Sequence, residues 1–502
     1  MTRVPRLPAL ALGVCLLATA CGTQVDDSLR QQAARAALNG AAGSTVAAGT
    51  PGASSTLTSP VTGEVTGNVD APVAAGGAPV TAGAGGAGAA VTGGSSAPGT
   101  AVGPGAGGSG AVGSGAVAPA PAGGNGGATD VGVTATTVTI GSVSDLSGPQ
   151  PGLFQTAVNG TNAYLAYINS QGGLFGRQLK IAVADSQTSC EGDRSGHQQL
   201  VDKAFAFAGS FSLFDSCGAA VLKDNPGIPD VHLAVTQEAN AIPNNFSPNP
   251  IGTKISNGPY KWAAGAFGTK VKKAALMYVN LPAVTNVAAL QKRSAESVGF
   301  EFVYERAVGA TETDFTADII QLRNKGVEVF MTLFNADQMS NFKPQADQQS
   351  FTPKYLAQLM YDQTFFTKLG GSERAEGMYG FNSSTLFFSE EDARTVPSVA
   401  LFQKWYGKVS GGAASDSFAA NAWASTNMLV QAMRKAGPQL TRARVLAELR
   451  RTTSFDADGF YAPANPAAKK AGNCFVLWQI RSGKYVRVDT PAKGFRCDGV
   501  PA

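Results

Sequence analysis

Two histidines, His197 and His232, are all the imidazole this chain of 502 residues contains. A histidine-built zinc site or a Ser-His-Asp triad is therefore disfavoured from the outset. His197 falls in a polar helical stretch, and His232 on a predicted strand beside Pro229-Asp230, so both read as structural. Hydrolysis through a nucleophile elbow would need Gly-x-Ser-x-Gly with a histidine downstream, and no such elbow occurs. Gly103-Pro104-Gly105-Ala106-Gly107-Gly108 matches the dinucleotide pattern GxGxxG. That pattern works only between a strand and a helix, and neither flanks it here. No catalytic residue, cofactor or metal site is expected. Lys and Arg number 39 against 35 Asp and Glu, a net charge of +4. The densest basic cluster after the N-terminus, Lys270-Val271-Lys272-Lys273, has no aromatic interleaving and suits a solvated helix end, not nucleic acid.

The N-terminal segments set the address. Arg3 and Arg6 precede an apolar run from Leu7 to Ala20, too short to span a bilayer and suited to a signal-peptide core. It ends in Leu17-Ala18-Thr19-Ala20-Cys21-Gly22, which resembles a bacterial lipobox with Cys21 as the lipidated residue. An anchor of this kind would hold the exported protein on the outer face of the bacterial cytoplasmic membrane. Residues 1–20 are thus assigned to the signal peptide and 21–128 to a linker. From about Ala36 to Ala128 the composition is Gly, Ala, Ser, Thr, Val and Pro, with Glu64 and Asp70 as the only charges. Such a segment has too little to bury to offset its chain entropy, and a flexible coil of ~90 residues reaches roughly 50 Å.

Order is expected from 129 to 497. Val138–Val143 alternates like a strand, Val158, Leu165 and Ile168 mark a helix that stops at Gly172-Gly173, and Leu179–Ala184 is the next strand. A helix around Gln198–Lys203 and a strand around Phe205–Leu213 continue the rhythm. After Pro250 it starts afresh: strands at Lys273–Val279, Phe302–Ala307 and Val327–Leu333, with a helix at Val284–Val298 and a helical stripe of Phe315, Ile319 and Leu322. A long helix, about Ala419–Ala436, stops at Gly437-Pro438, and Cys474–Ile480 with Tyr485–Val488 reads as a terminal hairpin. Alternating strands and helices imply parallel sheets covered on both faces, and two successive units imply two lobes.

Leu146-Ser147-Gly148-Pro149, Asn169-Ser170-Gln171-Gly172-Gly173-Leu174-Phe175-Gly176-Arg177, Thr313-Asp314-Phe315-Thr316-Ala317 and Gln345-Ala346 stand in an order and spacing that carry a resemblance. The chain resembles the branched-chain amino-acid-type solute-binding proteins of ABC importers over nearly all of residues 133–490. The resemblance implies a hinged α/β fold, periplasmic-binding-protein-like type I. Lobe 1 would comprise about 133–252 and 384–455, and lobe 2 about 253–383 and 456–497. It also implies a monomer that captures a small polar ligand (an amino acid, amide or small carboxylate) and delivers it to ABC permease and ATPase subunits. Alternatives are a surface receptor that senses without transport and, less favoured, an exported hydrolase. Setting aside Cys15 and Cys21, the four remaining cysteines allow three pairings. The sequence-local pair, Cys190–Cys217 and Cys474–Cys497, is expected in an oxidising compartment, and the first bridge has a counterpart in some family members.

By the same resemblance, first-lobe ligand contacts fall to Ser147, Leu153 or Phe154, then Gly218 and Ala219, then Thr236 and Gln237. Second-lobe contacts fall to Asn335 and to Tyr361 and Asp362. The loops in question follow strand ends, where open parallel sheets bind ligands. Two departures stand out. The family often has a serine where this chain has Gly218, and an aromatic residue near the place of Asn335, which cannot stack. Asp362 could hold a ligand ammonium.

Overall fold

The computed structural model describes residues 119, 121–488, 491 and 493–502. The signal peptide, Cys15, Cys21 and most of the 21–128 segment lie outside the described residues.

Two sheets organise the chain. The first is parallel, with β1 (Thr137–Ser144), β2 (Gln178–Asp185), β3 (Ala206–Ala208), β4 (Asp230–Val231) and β5 (Asn245–Phe246) in the order β2-β1-β3-β4-β5. The second contains β6 (Ala274–Val279), β7 (Phe302–Val308), β8 (Val329–Leu333), β9 (Lys354–Ala357), β10 (Tyr379–Asn382), β11 (Val476–Arg481) and β12 (Lys484–Arg487). Its order is β12-β11-β10-β9-β8-β6-β7, parallel except for the final hairpin, which adds antiparallel to β10. The strands buried on both faces are continuous apolar runs, such as Val329-Phe330-Met331-Thr332-Leu333.

The chain crosses between the lobes three times. The first crossing runs from β5 to the helix Gly258–Phe267, through Asn249-Pro250-Ile251. After β10 the chain returns to the first lobe, where helices Pro397–Val409 and Ser417–Ala436 pack on the helix Gln155–Ser170. It crosses back before β11. Phe460 packs against Phe402 with ring centroids 5.3 Å apart, and the Thr385 N–H donates to the Phe460 carbonyl at 2.9 Å. Residues 456–464 therefore stay with the first lobe, and the return comes later than the expected 456.

Three local expectations need correction. The third strand is Ala206–Ala208 alone, because Gly209 takes a left-handed φ of 63° and turns the chain towards Phe211. The expected helix around Gln198–Lys203 instead runs Cys190–Leu200, started by Ser189, whose hydroxyl accepts from the Gly192 N–H. Order also begins before Thr129. Arg177 is fully buried and donates to the carbonyls of Thr134, Pro438, Asn125 and Gly127. Asn125 donates in turn to the carbonyls of Ala135 and Phe175. A buried guanidinium must satisfy its donors, and here backbone from residues 125–127 supplies two of the acceptors.

Both expected disulfides form. Cys190 and Cys217 have Cα atoms 5.3 Å apart, and Cys474 and Cys497 4.0 Å apart. The first ties the start of helix Cys190–Leu200 to helix Asp215–Asp224, and the second closes the terminal hairpin on its tail.

Candidate ligand-binding cleft

The carboxyl ends of both sheets face a shared cavity of about 250 Å³. Phe154 reaches it from the loop after β1, Phe211 and Leu213 from the loop after β3, and Leu233 and Val235 from the loop after β4. Phe418 adds a ring from the first turn of helix Ser417–Ala436. Opposite them stand Val284 and Val287 on helix Pro282–Glu296, Leu333 at the end of β8, Leu359 after β9, and Phe381 on β10. This is the place at which open α/β sheets take ligands.

The aromatic wall is held by contacts from residues far apart in sequence. The Phe154 ring lies 5.3 Å from Phe211 and 4.7 Å from Phe418, and Phe211 lies 5.4 Å from Phe418. Buried polar groups aim the loop that carries Phe211. The Ser144 hydroxyl accepts from the Phe211 N–H at 3.2 Å, and Asp145 accepts from the Leu213 N–H at 2.9 Å. Burial raises the Asp145 carboxyl, and its bond from Ser186 offsets part of that.

Side chains bridge the lobes at the rim. Gln150 donates to the Ala310 carbonyl at 2.9 Å and accepts from Asn335 at 2.8 Å. Asn286 donates to the Val235 carbonyl at 2.7 Å, while Gln237 donates to the Gly252 carbonyl at 2.7 Å and to Asn286 at 3.4 Å.

The structure sorts the expected contacts into two groups. Phe154 lines the cavity, Leu153 packs in the same apolar cluster, and Gln237 and Asn335 stand at the interlobe rim. Asn335 also caps helix Ala336–Gln348 in a capping box with Gln338. The others make their bonds and contacts within the chain, away from the cavity lining. The exposed Ser147 donates to Asp185 at 2.5 Å. Gly218 is buried between two helices and donates its N–H to Asp193 at 2.6 Å, while Ala219 packs in the core beneath. The Thr236 hydroxyl donates to Asp215 at 2.6 Å and accepts from the Ala239 N–H as a helix cap. Tyr361 lies in an aromatic cluster with Phe387, Phe388, Trp478 and Tyr485. Asp362 caps the helix Gln363–Lys368 through Thr364.

Sequence reasoning missed Phe211, Val284, Leu333, Phe381 and Phe418, each an apolar residue that reads as core in a one-dimensional pattern. It also missed Gln291 and Gln358, which line the cavity and pair at 2.6 Å. The signal for Gln291 was present: Val284, Val287 and Gln291 recur at helical spacing, which puts the amide on the cavity face.

Both histidines are structural, as expected. His232 is buried against Asp230 at 2.8 Å, and His197 sits with its ring 5.1 Å from Phe207. Among the described residues, no group of three or more His, Cys, Asp or Glu is placed to hold a metal.

Two hinged α/β lobes with a cavity at facing sheet ends define a ligand-binding protein. The sequence pattern of the periplasmic binding protein family matches residues 137–484, and the chain belongs to that family. Its members are ligand-binding proteins, and membership implies an extracytoplasmic location. Similar solved structures share the fold. A fatty acid ABC transporter substrate-binding protein from Thermomonospora curvata has a TM-score of 0.62 at 17% identity, covering 74% of this chain and 94% of its own. An ABC transporter solute-binding protein from R. palustris in complex with benzoate has a TM-score of 0.58 at 18% identity, covering 72% and 97%. The branched-chain amino acid transporter substrate-binding protein from Streptococcus pneumoniae, in complex with isoleucine, has a TM-score of 0.55 at 17% identity, covering 70% and 100%.

Proposed function

We propose that this protein is an exported solute-binding lipoprotein, held to the membrane through Cys21, that captures a small organic ligand between its lobes and delivers it to an ABC-type permease and ATPase. The observation that carries this reading is the interlobe cavity, walled by the carboxyl ends of both sheets and rimmed by hydrogen bonds between the lobes. Benzoate and isoleucine bound in two of the similar structures, and the fatty acid transporter that the third serves, support capture of a small organic molecule without fixing which one. The N-terminal signal and lipobox pattern support the anchor.

Closure on a ligand is the mechanism. A ligand that bridges both walls stabilises the closed arrangement by its differential affinity for it. Binding should therefore shrink the radius of gyration in solution scattering and raise the melting temperature, by about 2.7 kcal/mol of added stability at 100 times the dissociation constant. Gln150→Ala removes two interlobe bonds at once, so it should enlarge the free protein and weaken binding several-fold. An unchanged radius of gyration with ligand bound would exclude the hinged cleft.

A further inference from the structure

We infer that the cleft selects an uncharged ligand with a largely hydrocarbon body and at most a small neutral polar group, such as an amide, carbonyl or hydroxyl. The inference rests on the binding-protein reading above; of the amino acid, amide or small carboxylate expected from the sequence it keeps the amide and sets aside the other two. Two independent features carry it.

The first is the lining. Among the residues that wall the cavity there is no Lys, Arg, His, Asp or Glu. An ionised ligand group enclosed there would lose its hydration and meet no counter-charge, a cost of several kcal/mol. Phe154, Phe211, Phe418, Val284, Leu333 and Phe381 instead offer apolar contact on both sides. The polar lining is neutral, with the Gln291 and Gln358 amides already paired to each other at 2.6 Å. That pair leaves the Gln291 carbonyl, its second N–H and the Gln358 NH2 as the unpaired neutral groups of the two amides.

The second is the fate of the first-lobe donors. The resemblance assigns Gly218 and Thr236 to first-lobe ligand contacts, where backbone N–H groups at a helix start would suit a carboxylate. In this chain they serve internal carboxylates. Asp193 takes the Gly218 N–H at 2.6 Å, and Asp215 takes the Val235 N–H at 2.7 Å and the Thr236 hydroxyl at 2.6 Å. The protein thus supplies its own acids to these first-lobe donors. The helix beginning at Pro282 borders the cavity, but proline at its first position removes one donor from that end.

The test uses matched pairs that share a body and differ in charge: 3-phenylpropanamide against 3-phenylpropanoate, and 4-methylpentanamide against 4-methylpentanoate, with leucine alongside. Binding of each to the full exported protein is measured by calorimetry and melting temperature at pH 7.5. The amides should bind at least tenfold tighter than their carboxylates and leucine. Val284→Trp, which fills the cavity, should abolish that binding. Gln291→Leu should weaken the amides several-fold and leave the carboxylates and leucine little changed. Carboxylates or leucine binding as tightly as the amides, and lost in Val284→Trp, would overturn the inference while the binding-protein reading stands. Binding that persists in a folded Val284→Trp protein, or no binding by any member of the panel, would remove the cleft as the ligand site and overturn both.

Discussion

Asp416 shows how much a single buried carboxyl can set. It begins helix Ser417–Ala436, accepting from the Ala419 N–H at 2.8 Å and from the Thr156 hydroxyl at 2.8 Å. Burial pushes its carboxyl up to about 7, and nearby Asp362 adds to the rise. A carboxyl whose folded pKa lies above its unfolded value holds its proton more tightly when folded. Its contribution is then fully present at low pH and is lost as pH rises from about 4 to about 7. Asp416→Asn keeps a capping oxygen and removes the titration. It should raise stability by roughly 2–4 kcal/mol at pH 8, with the gain fading to nothing below about pH 4. Denaturant titrations of both proteins across that range check it. Gly218 makes a steric case at the same scale. A Cβ built there would lie 2.2 Å from His197 Nδ1 and 2.5 Å from Asp193 Oδ2. Gly218→Ser, which restores the family's common residue, should therefore destabilise by about 1–3 kcal/mol, and His197→Ala should recover part of that loss in a double-mutant cycle.

Between elements, the first disulfide and helix packing do related work. Helices Cys190–Leu200 and Asp215–Asp224 meet through Cys190–Cys217, and the same pair is joined by the Gly218 N–H to Asp193. These helices pack on the first sheet against Val143 of β1, Ala184 of β2 and Phe207 of β3, and the loop after β3 carries Phe211 to the cavity. Replacing both cysteines with serine opens a loop with a sequence separation of 27. Stability should drop by about 3 kcal/mol, read by urea unfolding under non-reducing conditions. A smaller loss of ligand affinity should accompany it, because the bridge acts behind the wall and not at it.

At the scale of the whole molecule, the linker composition of residues 36–118 predicts what can be removed. Deleting residues 36–118 should leave ligand affinity unchanged and alter uptake in cells, since only reach changes. Extending the deletion through residue 128 should lower stability by about 2–4 kcal/mol. It would leave the buried Arg177 without the Asn125 and Gly127 carbonyls, and unsatisfied buried donors on a charged group are costly. Melting curves of the two truncated proteins compare the cases directly.

The rhythm of strands and helices was legible because it is local. Period-two and period-3.6 apolar patterns, Gly172-Gly173 and Gly437-Pro438 as stops, and sequence-local cysteines each need only their neighbours to be read. That was enough for two α/β lobes and both disulfides. Which side chains of those strand-end loops would line the cavity was not legible. The donors near Gly218 and Thr236 are claimed by Asp193 and Asp215, and no local pattern records who reaches a hydrogen bond first. Phe154, Phe211 and Phe418 become one wall only when three segments converge. Sequence by itself determined the scaffold, because backbone propensity and amphipathic period act over a few residues. The tertiary structure alone decided the chemistry of the cleft, because burial and hydrogen-bond competition depend on groups that the chain separates and the fold brings together.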